Sequence, residues 1–137
     1  MMAYIDSKLE KIIRITNQVI GEEVGGYATL VIFKEGWKHK DSIIAISFWK
    51  HGIIEINFEH FKEMPLHEIV RVMIHEYCHL TFITPDIHGD RFYQEMEKFG
   101  CIITGERDEL GYRKEYLSPI HPLVKEVRRR LKNESSN

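Results

Sequence analysis

The stretch Leu66–Leu80 constrains the fold more than any other part of the sequence, because it contains the pattern H-E-x-x-H. The pattern consists of His75, Glu76 and His79, with Tyr77 and Cys78 between the last two. Residues four apart lie on the same face of an α-helix, so both imidazoles can reach one metal ion. Imidazole nitrogens are preferred zinc ligands. The stretch therefore predicts a helix that carries two zinc ligands.

The position of Glu76 indicates a role different from that of a ligand. It follows His75 by one residue and is rotated by about 100° around the helix axis. Its carboxylate can then lie beside the metal and act on a water molecule. The helix should also lie in the core, because its apolar face is long: Leu66, Ile69, Val70, Met73, Ile74 and Tyr77. Polar groups on a buried helix are costly without partners, so a metal explains them better than a pair of core histidines.

A third ligand is expected downstream, since a catalytic zinc usually has three protein ligands and one open position. His88 is the favoured candidate, ahead of Asp90, Glu95 and Glu97. It follows a turn imposed by Pro85 and stands at the start of a new helix, from which it can return to the first pair. Glu95, on that following helix, stays open as the alternative third ligand.

Composition and charge are those of an ordinary folded domain. The chain has 137 residues, of which 43% are hydrophobic and 29% charged, and its formal net charge is −2. We interpret residues 1–137 as one domain. The charge balance requires neither nucleic acid nor a membrane as a partner, and no apolar run could span a bilayer. The N-terminus has no signal-peptide pattern and the two cysteines form no CxxC pair, so a cytoplasmic protein is expected.

Hydrophobic periodicity predicts an α+β fold with an N-terminal helix, a small three-stranded sheet, the central helix and following helices. The N-terminal helix is predicted over Ile5–Ile20, and the strands over Tyr27–Phe33, Ser42–Trp49 and Ile53–Phe58, with a hairpin turn at Lys50–Gly52. Beyond the central helix we expect a helix from about His88 to Phe99, a short apolar segment over Cys101–Thr104, an irregular polar segment over Gly105–Glu115, a C-terminal helix over about residues 120–132 and a disordered tail over 133–137.

The order of these elements, together with two short motifs, resembles the SprT-like zinc metalloproteases. The motifs are H-E-Y-C-H at His75–His79 and H-G-D-R-F at His88–Phe92, and the resemblance runs from about Tyr27 to Phe99. It implies a minimal zincin fold with its core at about residues 27–99. It also implies one catalytic Zn²⁺ on His75, His79 and His88, with Glu76 as general base in the hydrolysis of a protein or peptide substrate.

The resemblance has limits. Metzincins would have glycine at position 82 and histidine at position 85, where this chain has Phe82 and Pro85. The C-terminal zinc ribbon of many SprT-like proteins is absent, so their association with DNA is not carried over. The C-terminal helix has a basic face, which is more often solvated than bound to nucleic acid.

Two other functions stay open at this point: a metal-stabilised interaction module without catalysis, and a zinc hydrolase of non-peptide substrates. Glu76 argues against the first, because a structural metal site has no use for a non-ligating carboxylate. Peptide hydrolysis also needs a donor for the developing oxyanion, and the candidates are Tyr93, Tyr112, Arg113, Tyr116 and His121. By analogy with zincins, a substrate strand would add to the sheet edge formed by Ser42–Trp49, with Ile53–Phe58 beside it.

Overall fold

The computed structural model describes residues 7–24, 30–34, 37, 44–48, 52–81 and 88–135. Within these ranges it has five helices and five strands, which form an α+β domain. In chain order they are α1 (Ser7–Glu23), β1 (Leu30–Lys34), β2 (Ala45–Phe48), β3 (Ile53–Asn57), α2 (Phe58–Phe61), α3 (Leu66–Thr81), α4 (Asp90–Lys98), β4 (Ile102–Arg107), β5 (Arg113–Tyr116) and α5 (Pro122–Ser135).

The first three strands form one sheet in the order β1-β3-β2. The central strand β3 runs parallel to β1 and antiparallel to β2, with Ser47 opposite Ile54. Ile54 and Ile56 of β3 are fully buried while Glu55 between them is half-buried, as the period of two along a strand requires. The predicted three-stranded sheet is confirmed, and the strand predicted over 42–49 lies at its edge. Positions 27–29, 42, 43 and 49–51 of the predicted strands and turn lie outside the described residues.

Helix α3 lies in the core, as its apolar face predicts. It begins directly after Pro65, whose carbonyl accepts hydrogen bonds from the N–H groups of Glu68 and Ile69. It packs against α1 and β2. Tyr77 ties it to α1, because its hydroxyl donates a hydrogen bond to Asn17 Oδ1 at 2.6 Å. Eight of its side chains form part of the buried core: Ile69, Val70, Val72, Met73, Ile74, Tyr77, Cys78 and Leu80.

Helices α1 and α5 pack against each other and against α3. α1 continues to Glu23, beyond the predicted end at Ile20, while residues 5 and 6 lie outside the described chain. The prediction of a disordered tail over 133–137 is wrong for its first part, because α5 is helical through Ser135. An ion pair between Arg14 and Glu134 joins the last turn of α5 to α1. Residues 136 and 137 are not described.

The prediction of an irregular segment over Gly105–Glu115 is also wrong. Strands β4 and β5 form a second, antiparallel sheet, with Ile103 opposite Glu115. The turn between them is fixed by Asp108, whose Oδ1 accepts hydrogen bonds from the N–H groups of Leu110 and Tyr112. Gly111 completes the turn with φ +84°, a left-handed conformation that glycine adopts at low cost. The β4–β5 hairpin therefore exists because of turn chemistry and not because of an apolar pattern.

Within the described part of the chain, none of the helices combines the length and the apolar content that crossing a bilayer requires.

Candidate metal centre

Three histidine side chains converge beside α3. His75 and His79 lie one turn apart on that helix, and His88 precedes the first residue of α4 by two positions. The Nε2 atoms are 3.2 Å apart in the His75–His79 pair, 3.0 Å apart in the His75–His88 pair and 2.9 Å apart in the His79–His88 pair. All three side chains are half-buried, and together they could hold a metal ion.

Hydrogen bonds alone do not satisfy this arrangement. Each Nε2 atom has either one hydrogen or one lone pair in the ring plane, and never both. Three such atoms can therefore form only one well-directed hydrogen bond among themselves, although each lies within 3.2 Å of the other two. A cation shared by three lone pairs satisfies all of them at once, so the donor set fits a metal ion.

The spacing also fits zinc. Tetrahedral zinc at about 2.0–2.1 Å from each nitrogen separates its ligand nitrogens by about 3.3 Å. The observed separations of 2.9–3.2 Å are slightly shorter, a difference that small rotations of the side chains remove. Three imidazoles leave one tetrahedral position open, which is the coordination of catalytic rather than structural zinc sites.

His88 reaches the cluster through an unusual backbone conformation. Its φ is +63°, in the left-handed region, which costs a residue other than glycine about 1–2 kcal/mol. The next residue, Gly89, is extended and forms the N-cap of α4. A left-handed residue thus stands immediately before the N-cap of α4. Its ring packs against Tyr112 of the β4–β5 hairpin, with the two ring centroids 4.2 Å apart. Pro85, to which the turn was attributed, lies outside the described residues.

Phe92 of α4 forms the apolar wall of the cluster. Its ring stacks on His79 at a centroid distance of 4.3 Å and meets the edge of His75 at 4.8 Å. It lies 5.1 Å from His88. Because Phe92 is fully buried, this wall shields one side of the three imidazoles from water. Phe92 therefore belongs to the core and also confines the histidine cluster.

Glu76 lies next to the cluster and is not part of the three-histidine group. Its side chain is buried, with 6% relative exposure, and it forms a hydrogen bond with Ser47 of the edge strand β2. Burial raises the pKa of Glu76, and the charge of His75 and the Ser47 hydrogen bond offset this only in part. A buried carboxylate with a raised pKa, beside three histidines that could hold a metal ion, is suited to accepting a proton.

The other candidates for the third ligand lie elsewhere. Glu95 forms an ion pair with Lys98, with the two charged atoms 3.2 Å apart. The side chain of Asp90 is 91% exposed, and Glu97 is exposed on α4. Among the residues that the structure describes, His88 is the candidate that joins His75 and His79.

Sequence reasoning missed one residue of the site, Glu115 on β5. Its Oε2 lies 2.7 Å from Nδ1 of His75, and its Oε1 lies 2.5 Å from Nη1 of Arg71. Strand alternation turns Arg113 and Glu115 inward and leaves Lys114 and Tyr116 exposed. A period of two was present in this segment, but charged residues occupy its inward positions, so a search for apolar alternation does not find it. The turn signal of Asp108 and Gly111 was the available clue.

The three imidazoles differ in their tendency to bind protons. Burial, with the neighbouring His75 and His88, lowers the pKa of His79 to about 3. Burial and the neighbouring His75 lower the pKa of His88 to about 4. Burial also lowers the pKa of His75, but the adjacent Glu115 carboxylate outweighs it and leaves this pKa above its ordinary value. Since metals bind neutral imidazole, His79 and His88 are in the binding form at neutral pH.

The candidates for an oxyanion donor differ in their burial, in their hydrogen-bond partners and in their contacts with the histidine cluster. Tyr93 is buried, and its hydroxyl accepts a hydrogen bond from the Arg113 N–H at 3.0 Å. Arg113 Nε donates to the Thr104 carbonyl, and His121 Nδ1 accepts from the Leu123 N–H. Tyr116 points outward from β5. Two candidates have a ring contact with His88: the ring centroid of Tyr112 lies 4.2 Å from that of His88, and the ring centroid of Tyr93 lies 6.5 Å from it. Tyr112 is the nearer of the two, and its side chain is partly exposed.

Comparisons with known proteins add no assignment, because no protein-family model matches the chain and a search of curated proteins finds no match. The chemistry of the centre is therefore inferred from its own residues.

Proposed function

We propose that this protein is a zinc-dependent metalloprotease with a minimal zincin fold of the SprT-like kind. The observation that carries the proposal is the convergence of His75, His79 and His88 beside a buried carboxylate, Glu76, that does not belong to the histidine group. A metal-binding module without catalysis would need the three histidines alone. The H-E-x-x-H pattern and the strands ahead of the central helix support the same interpretation.

When bound, the zinc ion supplies Lewis-acid chemistry, since it polarises a carbonyl and lowers the pKa of water toward neutrality. The remaining steps are proton transfers, which Glu76 carries out. Glu76 takes a proton from the attacking water while the oxygen of that water bonds to the carbonyl carbon. It gives that proton to the departing amine as the carbon–nitrogen bond breaks, so that a free carboxyl and a free amine result. The raised pKa of Glu76 brings its proton affinity closer to that required at neutral pH.

The substrate class follows from the position of Glu76 beneath the sheet edge. Strand β2 lies at the edge of its sheet, and its Ser47 forms a hydrogen bond with Glu76. An extended peptide that adds to β2 through backbone hydrogen bonds would pass this carboxylate. We therefore infer an unfolded or extended protein segment as the substrate.

We assign Tyr112 as the hydrogen-bond donor to the developing oxyanion. Its ring contacts His88, its side chain is 37% exposed, and it stands on the β4–β5 turn. A phenol hydroxyl can donate to negative charge that develops on the carbonyl oxygen, and such a donor is useful only in the transition state.

The experiment that tests this function is the substitution Glu76→Gln. Zinc content and melting temperature should stay close to those of wild type, because Glu76 is not a ligand and glutamine preserves its size. Cleavage of an unfolded protein substrate should fall by about two to four orders of magnitude, the usual contribution of a positioned general base. Glu95→Gln is the matched control on α4 and should retain activity. Wild-type cleavage that survives Glu76→Gln undiminished would contradict the mechanism.

A further inference from the structure

Both carboxylate oxygens of Glu115 are engaged, and their two partners belong to α3. Oε1 accepts from the Arg71 guanidinium at 2.5 Å, and Oε2 lies 2.7 Å from Nδ1 of His75. The side chain is only 8% exposed, so water does not compete freely for either contact. Arg71 is held in turn by Glu68, whose Oε2 lies 2.6 Å from its Nε. Glu115 therefore stands between a fixed cation and one ring nitrogen of a metal ligand.

The contact with His75 determines which nitrogen of that ring carries hydrogen. An ionised carboxylate can only accept hydrogen bonds, so Nδ1 must be the donor. In neutral imidazole Nε2 then has the lone pair, and Nε2 is the atom that faces His79 and His88. Without Glu115 both tautomers of His75 would be available, and one of them places a hydrogen where the metal should bind.

We propose that Glu115 is a positioning residue that fixes the ring tautomer and orientation of His75, and that Arg71 holds Glu115 in place for this purpose. The inference rests on the proposed function, because it assumes that the histidines bind zinc. It goes beyond that function in assigning a role to Glu115 of strand β5, a residue that is not itself a ligand. An ion pair between Arg71 and Glu115 alone would merely fasten the hairpin to α3. The second oxygen, on His75, is what makes the contact relevant to the metal.

Glutamine at position 115 separates these two roles. Its amide has one accepting oxygen and one donating NH₂ group in place of two accepting oxygens, so its two ends cannot accept from both Arg71 and His75. If its oxygen faces Arg71, its NH₂ group faces Nδ1 of His75 and favours the tautomer with hydrogen on Nε2. Removing the guanidinium by Arg71→Met frees the amide oxygen to turn toward His75. The double variant should then bind zinc more tightly than Glu115→Gln alone, which a fastening role does not predict.

The experiment measures zinc affinity by competition with a chelator in four proteins: wild type, Glu115→Gln, the double variant Arg71→Met/Glu115→Gln, and Glu106→Gln. Glu106 is the matched control, since it lies on the facing strand, is 70% exposed and pairs only loosely with Lys114 at 3.5 Å. We expect a loss of about tenfold or more for Glu115→Gln, as for other groups that orient a metal ligand. Glu106→Gln should match wild type, and the double variant should recover part of the loss.

A spectroscopic measurement on wild type keeps the inference falsifiable if a variant does not fold. In zinc-free protein with nitrogen-15-labelled histidine, at a pH where the His75 ring is neutral, the ring should show hydrogen on Nδ1 and none on Nε2. Hydrogen on Nε2, an unchanged affinity in Glu115→Gln, or a further loss in the double variant would each overturn the positioning role. Failure of the proposed function gives a different result, because wild type would then bind no zinc or would bind it without cleaving protein.

Discussion

Helix α3 and the β4–β5 hairpin meet at the histidine cluster, and they are held in place by different forces. α3 is buried along most of its length and supplies His75 and His79. The hairpin is largely exposed, and it reaches the cluster through two side chains, Tyr112 and Glu115. His75 and His79 thus stand on an element fixed by apolar packing. The proposed orienting contact on His75 comes from an element fixed by a turn and a few polar contacts.

Because of this difference, we expect α3 to determine whether the metal binds, and the hairpin to determine how tightly it binds and in which orientation. Apolar packing of α3 is shared with α1 and the sheet, so opening α3 would require unfolding much of the core. The hairpin can loosen locally at lower cost, because few of its side chains are buried. Changes in α3 should therefore abolish the centre, whereas changes in the hairpin should weaken or misalign it. The following predictions test this contrast, in decreasing order of effect.

The largest effect is expected from the α3 ligands. The double variant His75→Ala/His79→Ala should lose stoichiometric zinc, because a single remaining imidazole binds zinc weakly. Metal analysis after dialysis measures this. His67→Ala, eight residues before His75 on the same helix, is the control and should keep full occupancy. Full zinc content in the double variant would show that the metal binds elsewhere.

On the hairpin, Tyr112→Phe should lower kcat by about a hundredfold and leave zinc affinity unchanged, since the hydroxyl acts only in the transition state. Steady-state cleavage of an unfolded protein measures this. Tyr116→Phe is the control, because Tyr116 lies on the outward face of β5. An equal loss in both variants would remove Tyr112 from the mechanism.

Acid should destabilise the metal-free chain through His79 and His88. Their pKa values in the folded state are about 3 and about 4, below the ordinary histidine value near 6.5. The unfolded chain therefore binds protons first, and stability falls as pH drops from about 6.5 toward 4. His75 has the opposite shift, so its contribution is present at low pH and is lost as pH rises through its raised pKa.

Thermal melts between pH 7 and pH 5 should show this as a decrease on the order of 5 °C in Tm, since partial exposure reduces the effect of both side chains. The variant His79→Ala/His88→Ala should show a flatter profile. A wild-type Tm that rises over the same decrease in pH would contradict the lowered pKa values of His79 and His88.

The smallest effect concerns the hairpin turn. Gly111→Ala should destabilise the protein by about 1–2 kcal/mol, because φ at this position is +84° while nothing within 4 Å obstructs a Cβ. Gly105→Ala is the matched control: its surroundings are equally open and its φ is not in the left-handed region, so it should be nearly neutral. Urea denaturation distinguishes the two. Equal stability of both variants would mean that the turn is not fixed as described.

The same contrast explains how far the sequence could predict the molecule. Apolar periodicity predicted α1, α3, α4, α5 and the three-stranded sheet, because these elements bury one face. The spacing of His75 and His79 identified two members of the cluster, and His88 was the favoured third. The hairpin escaped prediction because Arg113 and Glu115 take the inward positions that apolar residues usually occupy. The partners of Glu115, Arg71 and His75, are distant in sequence and become visible only in the folded chain.

The central claim is that His75, His79 and His88 together bind one zinc ion. This is tested most directly by measuring anomalous scattering from crystals of the zinc-loaded protein on both sides of the zinc absorption edge. We expect a single strong peak about 2.0–2.1 Å from the Nε2 atoms of all three histidines, with Glu76 outside the ligand set. A peak that includes Glu95 in place of His88, or no peak between the three rings at saturating zinc, would contradict it.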